Sequence, residues 1–191
     1  MRIPVELAKA YRLLNHGPVT LVSSAHGGRR NVMAAAWSMP LDFDPPKVCV
    51  VIDKSTLTRE LVEASGEFVL NVPSRAMARE VLAVGTLGGR QVDKFADGGL
   101  LAAAAGQVAA PLVEGCVGWL ECRVVREPHN QQRYDLFIGE VVAAWADDRA
   151  FRDGRWEFGD ASLRTLHYVA GGSFFVTGEA LDVAAPAAPA A

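Results

Sequence analysis

Three things are scarce in this 191-residue chain: cysteine, an excess of positive charge, and long apolar runs. Its three cysteines, Cys49, Cys116 and Cys122, are odd in number and lack any paired metal spacing. They are expected to be buried free thiols in a reducing, cytoplasmic setting. Lys and Arg number 19 against 22 Asp and Glu, giving a formal net charge of −3 and no basic face for a nucleic acid. No apolar run approaches the roughly 18 residues of a membrane span. The N-terminal MRIPVELAKAYRLL lacks the apolar core of a secretory signal, so the mature chain is expected to start at Met1. Also missing are a Ser/His/Asp constellation, a metal-spaced His/Cys set and a Rossmann glycine fingerprint. Gly27-Gly28-Arg29 and Gly88-Gly89-Arg90 read as plain loops, without the strand-and-helix context of a phosphate loop.

What is present is an ordinary globular composition, half apolar and 21% charged. It reads as one domain over residues 1–183, followed by a disordered Ala/Pro tail at 184–191. Apolar spacing predicts a helix from Val5 to Leu14, stopped by Asn15-His16-Gly17-Pro18. Val19–Ala25 and Asn31–Ser38 are expected to pair as a hairpin across His26–Arg30. Pro40 to Pro46 reads as irregular, because each Pro restricts the residue before it. Val48–Ile52 reads as a strand covered on both sides. A helix follows to Ala64 with Ser55 as its N-cap and Gly66 at its end. A further strand spans Phe68–Val72, and Ser74 opens a second helix ending near Gly85. Gly85 to Leu112 reads as an irregular excursion with a short helix at Val92–Ala96. Cys116–Arg126 and Tyr134–Trp145 are the two clearest strands, joined as a hairpin through Glu127–Arg133. A last strand is expected at Ser173–Thr177. Hairpin-linked strands interrupted by short helices predict a mostly β protein, an antiparallel barrel with helical excursions.

The informative stretch is Asn31 to Val72. Ala34, Ala35 and Ala36 leave backbone groups within reach of a flat ligand, and Trp37 and Ser38 close the run. Asp53-Lys54-Ser55-Thr56-Leu57-Thr58 combines a cation, three hydroxyls and a helix start, a set suited to an anion. Ser55 and Thr58 are its strongest candidates, with Lys54 and Arg59 behind them. A flat wall beside an anion site suggests a phosphorylated aromatic cofactor. The bland alternatives are alanines filling a gap under a helix and an ordinary capped helix on a wet surface. Asn71 is the one polar residue of an apolar strand, and its amide needs partners, either ligand atoms or neighbouring backbone.

In order and spacing these features resemble the flavin reductase-like family of FMN-binding split barrels. The resemblance rests on Asn31 with Ala36-Trp37-Ser38, Asp44-Pro45-Pro46, Lys54-Ser55 with Thr58, and Gly66 to Val72. It extends weakly to Asp93-Lys94-Phe95 and Leu166-His167-Tyr168 with Gly171-Gly172. It implies a homodimeric flavin-dependent oxidoreductase passing hydride from NAD(P)H to FMN, with FAD as the other flavin. An electron acceptor such as a monooxygenase would be its partner. Asn31, Ala34–Ser38, Asp53, Lys54, Ser55, Thr58, Asn71, Lys94 and Phe95 would surround the cofactor, with His167 lining the nicotinamide site or holding the fold. An FMN-binding electron carrier or sensor without a nicotinamide site is the alternative within the same fold. A barrel whose basic turn binds some other phosphorylated ligand is a second.

Overall fold

Apolar runs too continuous for a one-sided sheet require cover on both faces, and the fold supplies it with two cores. The computed structural model describes residues 1–13 and 17–183, so the expected tail and the predicted stop at Asn15-His16 lie outside the described residues. The strands are β1 (Arg2–Pro4), β2 (Thr20–His26), β3 (Arg29–Ala35), β4 (Ser38–Phe43), β5 (Pro46–Val51), β6 (Glu67–Val72), β7 (Ala102–Ala103), β8 (Leu112–Val113), β9 (Gly118–Val125), β10 (Leu136–Asp147), β11 (Phe151–Arg152), β12 (Arg155–Trp156), β13 (Leu166–Ala170) and β14 (Ser173–Val176). Helix α1 (Leu57–Ser65) lies between β5 and β6, α2 (Ala78–Thr86) follows β6, and α3 (Pro128–Tyr134) joins β9 to β10.

Seven strands form one path, β3-β2-β6-β9-β10-β5-β4, with β1 added on β10. Every pairing in it is antiparallel. The two ends of that path, β3 and β4, are separated in sequence only by Ala36 and Trp37. Three Cα steps reach at most about 11 Å. The sheet must therefore curl until its edges meet, which makes it a barrel. At the seam the join is made by side chains: the Thr20 hydroxyl lies 3.1 Å from Ser38 Oγ and 3.3 Å from the Ala35 carbonyl. The mostly antiparallel barrel expected from the strand pattern is the observed architecture.

Alternate residues of each strand supply the two cores. Val22, Val48, Val50, Phe68, Leu70, Leu120, Cys122 and Phe137 fill one. Leu21, Val69 and Trp119 point the other way and pack with Val81, Val84, Phe95, Leu100 and Leu112 from α2 and the excursion after it. Buried polar groups tie that excursion down. Glu121, with no exposed surface, accepts from the Gly106 and Gln107 amides and from Trp145 Nε1.

Several local expectations are corrected. The first helix is a 3-10 segment, Leu7–Leu13. Pro40–Phe43 is part of a strand, because an edge strand tolerates a proline whose missing N–H has no partner to lose. Glu127–Arg133 is no simple turn but carries α3, with Pro128 in its first turn and Asp135 in the left-handed region closing it. Val92–Ala96 forms turns, with the Asp93 carboxylate taking the Phe95 and Ala96 amides. The helix after β5 is capped by Thr56, whose hydroxyl accepts from the Arg59 amide at 3.1 Å, and not by Ser55. Leu166–Gly172 and Ser173–Thr177 form the β13–β14 hairpin.

Gly139 in β10 sits where no side chain fits. A Cβ there would lie 2.5 Å from Phe68 Cζ and 3.0 Å from Cys122 Cβ. Gly139→Ala should lower stability by about 1–3 kcal/mol through overpacking, read by chemical denaturation. A variant as stable as the parent would show that the barrel core yields here.

Candidate functional site

Ala34 to Ser38 is not the single strand that its sequence suggests. β3 stops at Ala35, Ala36 is a bend, and Ser38 begins β4 on the far edge of the sheet. The three alanines consequently face three ways. Ala35 is 7% exposed and belongs to the barrel core. Ala34 packs toward α2, where a Cβ on Gly85 would meet its methyl at 3.4 Å. Ala36 and Trp37 are exposed, the latter by 74%. The Trp37 carbonyl accepts from the Val51 amide, so the bend lies beside the end of β5.

A cavity of about 210 Å³ opens against this bend. Ala34, Ala35 and Ala36 form one wall, Gly85 and Thr86 of α2 another, and Tyr168 with Phe174 a third. Those two rings meet edge to face at 5.6 Å. The cavity is small-walled and largely apolar, with polar backbone exposed at the bend. Gly85, Thr86 and Phe174 carry no site signal in the sequence, whereas Tyr168 belongs to the weak Leu166-His167-Tyr168 part of the family resemblance. Gly85 lies in the last turn of α2, where a glycine reads from sequence as a helix stop and gives no sign of the cavity.

Beyond β5, the Asp53–Thr58 turn lies near the same bend. Asp53 Oδ1 accepts from the Ser55 amide at 2.8 Å and from its hydroxyl at 2.6 Å. These bonds hold the Asp53 carboxyl below its ordinary range. Lys54 is 70% exposed and stands 3.8 Å from the Asp135 carboxylate. Thr58 is buried and takes the Asn31 side-chain amide at 2.9 Å, locking α1 onto β3. Arg59 is consumed by the fold: it bonds Glu63, Asp135 and the Ile52 and Gln131 carbonyls, and stacks on Phe137. Among these residues, Asp53, Lys54 and Ser55 are the exposed ones, and Lys54 and Ser55 are those that carry donors.

Three further sequence candidates lie in the interior. Asn71 spends its amide hydrogens on the Leu21 and Val69 carbonyls and Ser23 Oγ, and its oxygen accepts from the Val113 amide. That bonding is the neighbouring-backbone option, and it leaves no amide hydrogen over for a ligand. Phe95 is 1% exposed in the outer core. Lys94 is 7% exposed, and its ammonium donates to the Val84 carbonyl at 2.7 Å, one residue from Gly85 of the cavity wall. Burial lowers its pKa. His167 is half-buried on β13, next to the cavity residue Tyr168.

Residues 12–175 match the family model described as the flavin reductase like domain. The chain is 47% identical over 180 residues to the uncharacterized protein YddH of Escherichia coli (strain K12), covering 93% of this chain and 95% of that one. A solved FMN-binding domain of a flavin reductases-like enzyme from Shewanella baltica OS155 superposes with a TM-score of 0.93 at 47% identity, over 96% of this chain and 97% of its own. Flavoredoxin of Desulfovibrio vulgaris (Miyazaki F) follows the same path with a TM-score of 0.77 at 28% identity, over 88% and 90%. Among the described residues, no helix is long and apolar enough to cross a membrane, and no group of three or more His, Cys, Asp or Glu could hold a metal.

The burial pattern separates frame from surface in the α1 turn. Thr58→Val strands the buried Asn31 amide and should cost about 1–3 kcal/mol of stability in the ligand-free protein. Ser55→Ala, at the exposed turn, should change it by less than about 0.5 kcal/mol. Equal melting shifts for the two variants would refute this division.

Proposed function

The chain belongs to the flavin reductase-like family, and from that membership we propose that it binds FMN and acts as a NAD(P)H-dependent flavin oxidoreductase. The observation that carries the reading is the alanine-walled cavity at the β3–β4 bend. Its walls fit a flat ring: methyl groups on one side, Gly85 and Thr86 on another, and the Tyr168–Phe174 pair on the third. The family match and the FMN-binding name of the Shewanella baltica relative support the same cofactor.

When bound, the flavin supplies the redox chemistry, accepting hydride and passing on electrons. The protein's part is to bind, orient and bias it. Ala34 and Ala36 keep the wall thin, while Trp37 and Ser38 border it. Lys54 and Ser55, with the start of α1, are the donors offered to the phosphate. Ser55 would exchange its bonds to Asp53 for bonds to the incoming anion. Asn31 and Thr58 serve by fixing α1 against β3. Lys94 places a positive charge behind the cavity wall, which favours a more negative reduced ring. Asn71 and Phe95 act as supports for this wall and not as contacts.

A homodimer completes the proposal. Trp37, just before β4, and Met39, Leu41 and Phe43 along it are 74%, 54%, 47% and 65% exposed. Such an apolar row on an edge strand exposes surface that proteins ordinarily cover. A second copy of the chain placed there would also close over the bend at Ala36. Replacing Leu41 and Phe43 with Lys should shift the sedimentation coefficient from dimer to monomer; a wild-type monomer at micromolar concentration would rule the interface out.

Two measurements test the flavin reading. FMN-loaded protein mixed with NADH or NADPH without oxygen should lose its oxidised flavin absorbance rapidly. A spectrum unchanged by either nicotinamide would make the protein an FMN-binding carrier instead. Ala36→Leu should weaken FMN binding by about 1–3 kcal/mol with the ligand-free melting temperature unchanged. Ala35→Leu should lower the melting temperature, because its side chain enters the barrel core. Normal FMN affinity in Ala36→Leu would remove the ring from this wall.

A further inference from the structure

The two Gly-Gly-Arg loops, 61 residues apart in sequence, converge on one cleft of about 830 Å³. It lies between the β2–β3 turn, α1 and the loop at 89–93, with His26, Arg29, Arg30 and Arg90 on its walls and Leu57 and Ala64 on its floor. Arg29 and Arg90 reach the same carboxylate from opposite loops. Arg29 NH1 lies 3.0 Å from Glu60 Oε1 and Arg90 NH1 2.5 Å from Glu60 Oε2. Arg30 lies over the Phe95 ring at 4.7 Å and 3.6 Å from Asp93 Oδ2. The remaining acid on the wall, Glu67, takes the Ala109 amide at 2.8 Å.

Each of these arginines thus uses one terminal nitrogen in an ion pair, out of five N–H donors on a planar fork. All three side chains stay roughly half exposed, at 55%, 46% and 45%. Two forks converging on one carboxylate are already arranged for an anion, and Glu60 marks where it would sit. Arginine forks match phosphate oxygens in pairs, which a scattered surface cation does not. The cleft is at the Arg29 end of β3, whereas the alanine cavity is at the Ala35 end. Six residue steps along a strand put them about 20 Å apart. That separation suits the two ends of a dinucleotide.

We infer that this cleft is a phosphate site for the adenylate half of a dinucleotide, with Arg29 and Arg90 as its clamp and Arg30 as a third donor. The anion site stands on the geometry alone; its assignment to the nicotinamide or flavin dinucleotide rests on the oxidoreductase reading. The shared chemistry is an adenosine phosphate, which NADPH carries as a 2′-phosphate and NADH or FAD as a diphosphate.

The full chain, free of flavin, is titrated calorimetrically with adenosine 2′,5′-bisphosphate, with ADP and with inorganic phosphate. Saturable binding of a nucleotide is expected, weakened at least tenfold in the Arg29→Met/Arg90→Met double variant. Glu60→Gln removes the internal competitor while keeping its shape, and should bind several-fold tighter. Preference for the bisphosphate over ADP selects the 2′-phosphate, and preference for ADP selects the diphosphate. No saturable binding to the wild type, or one affinity across all variants, would overturn the site. Should the double variant fail to fold, unchanged affinity in Glu60→Gln overturns it equally. Because no turnover is involved, a protein that binds ADP but is not reduced by nicotinamide would lose the reductase reading and keep this site.

Discussion

Two residues, Ala36 and Trp37, must carry the chain from one edge of a seven-strand path to the other. This short reach is the constraint on which the rest depends. It forces the sheet to curl, so that β3 and β4 become neighbours without sharing a ladder, and the Thr20 hydroxyl bridges the seam to Ser38. A bend at such a seam cannot be filled by backbone pairing on both sides. Small side chains are accommodated there, and the resulting gap between Ala34–Ala36, α2 and the β13–β14 hairpin is the cavity.

The parts around the seam are held by buried, hydrogen-bonded polar groups. Asn31 with Thr58 fixes α1, Asn71 fixes β8 to β2 and β6, and Glu121 fixes the excursion at 106–107. Arg59 draws the end of β5, α1 and α3 together through four acceptors. Such groups are costly if any one partner is removed, which makes the frame rigid where the walls of the cavity need it. The exposed members of the same turn, Lys54 and Ser55, are left to solvent or ligand. A similar split occurs on β3: one end carries the small-residue wall, the other the arginines of the second cleft.

Much was legible in the sequence because it depends on local rules. The continuous apolar run Phe68–Leu70 indicated a strand with two covered faces, and the alternation of its residues between the two cores bears that out. Gly66 stops α1 in the left-handed region at φ 72°, as its position suggested. The order of small residues followed by a hydroxyl-rich helix start carried the family resemblance. What misled was also local. Ser55 and Thr56 are equally good caps on paper, and Pro40 looks like a break until the strand is known to be an edge.

Sequence alone determined the main core strands, the antiparallel barrel class and the family, because periodicity and motif order are properties of the chain itself. Only the tertiary structure decided which polar residues serve the frame and which stay at the surface. Asn71, Thr58 and Arg59 carry donors suited to either task, and only burial against distant carbonyls and hydroxyls assigns them to the fold. Tyr168, Phe174 and Gly85 reach the alanine wall across more than a hundred residues and about fifty, respectively. The convergence of Arg29 and Arg90 on Glu60 likewise exists only once the chain has closed. Contacts of that range depend on how the sheet curls, and no local pattern of residues records it.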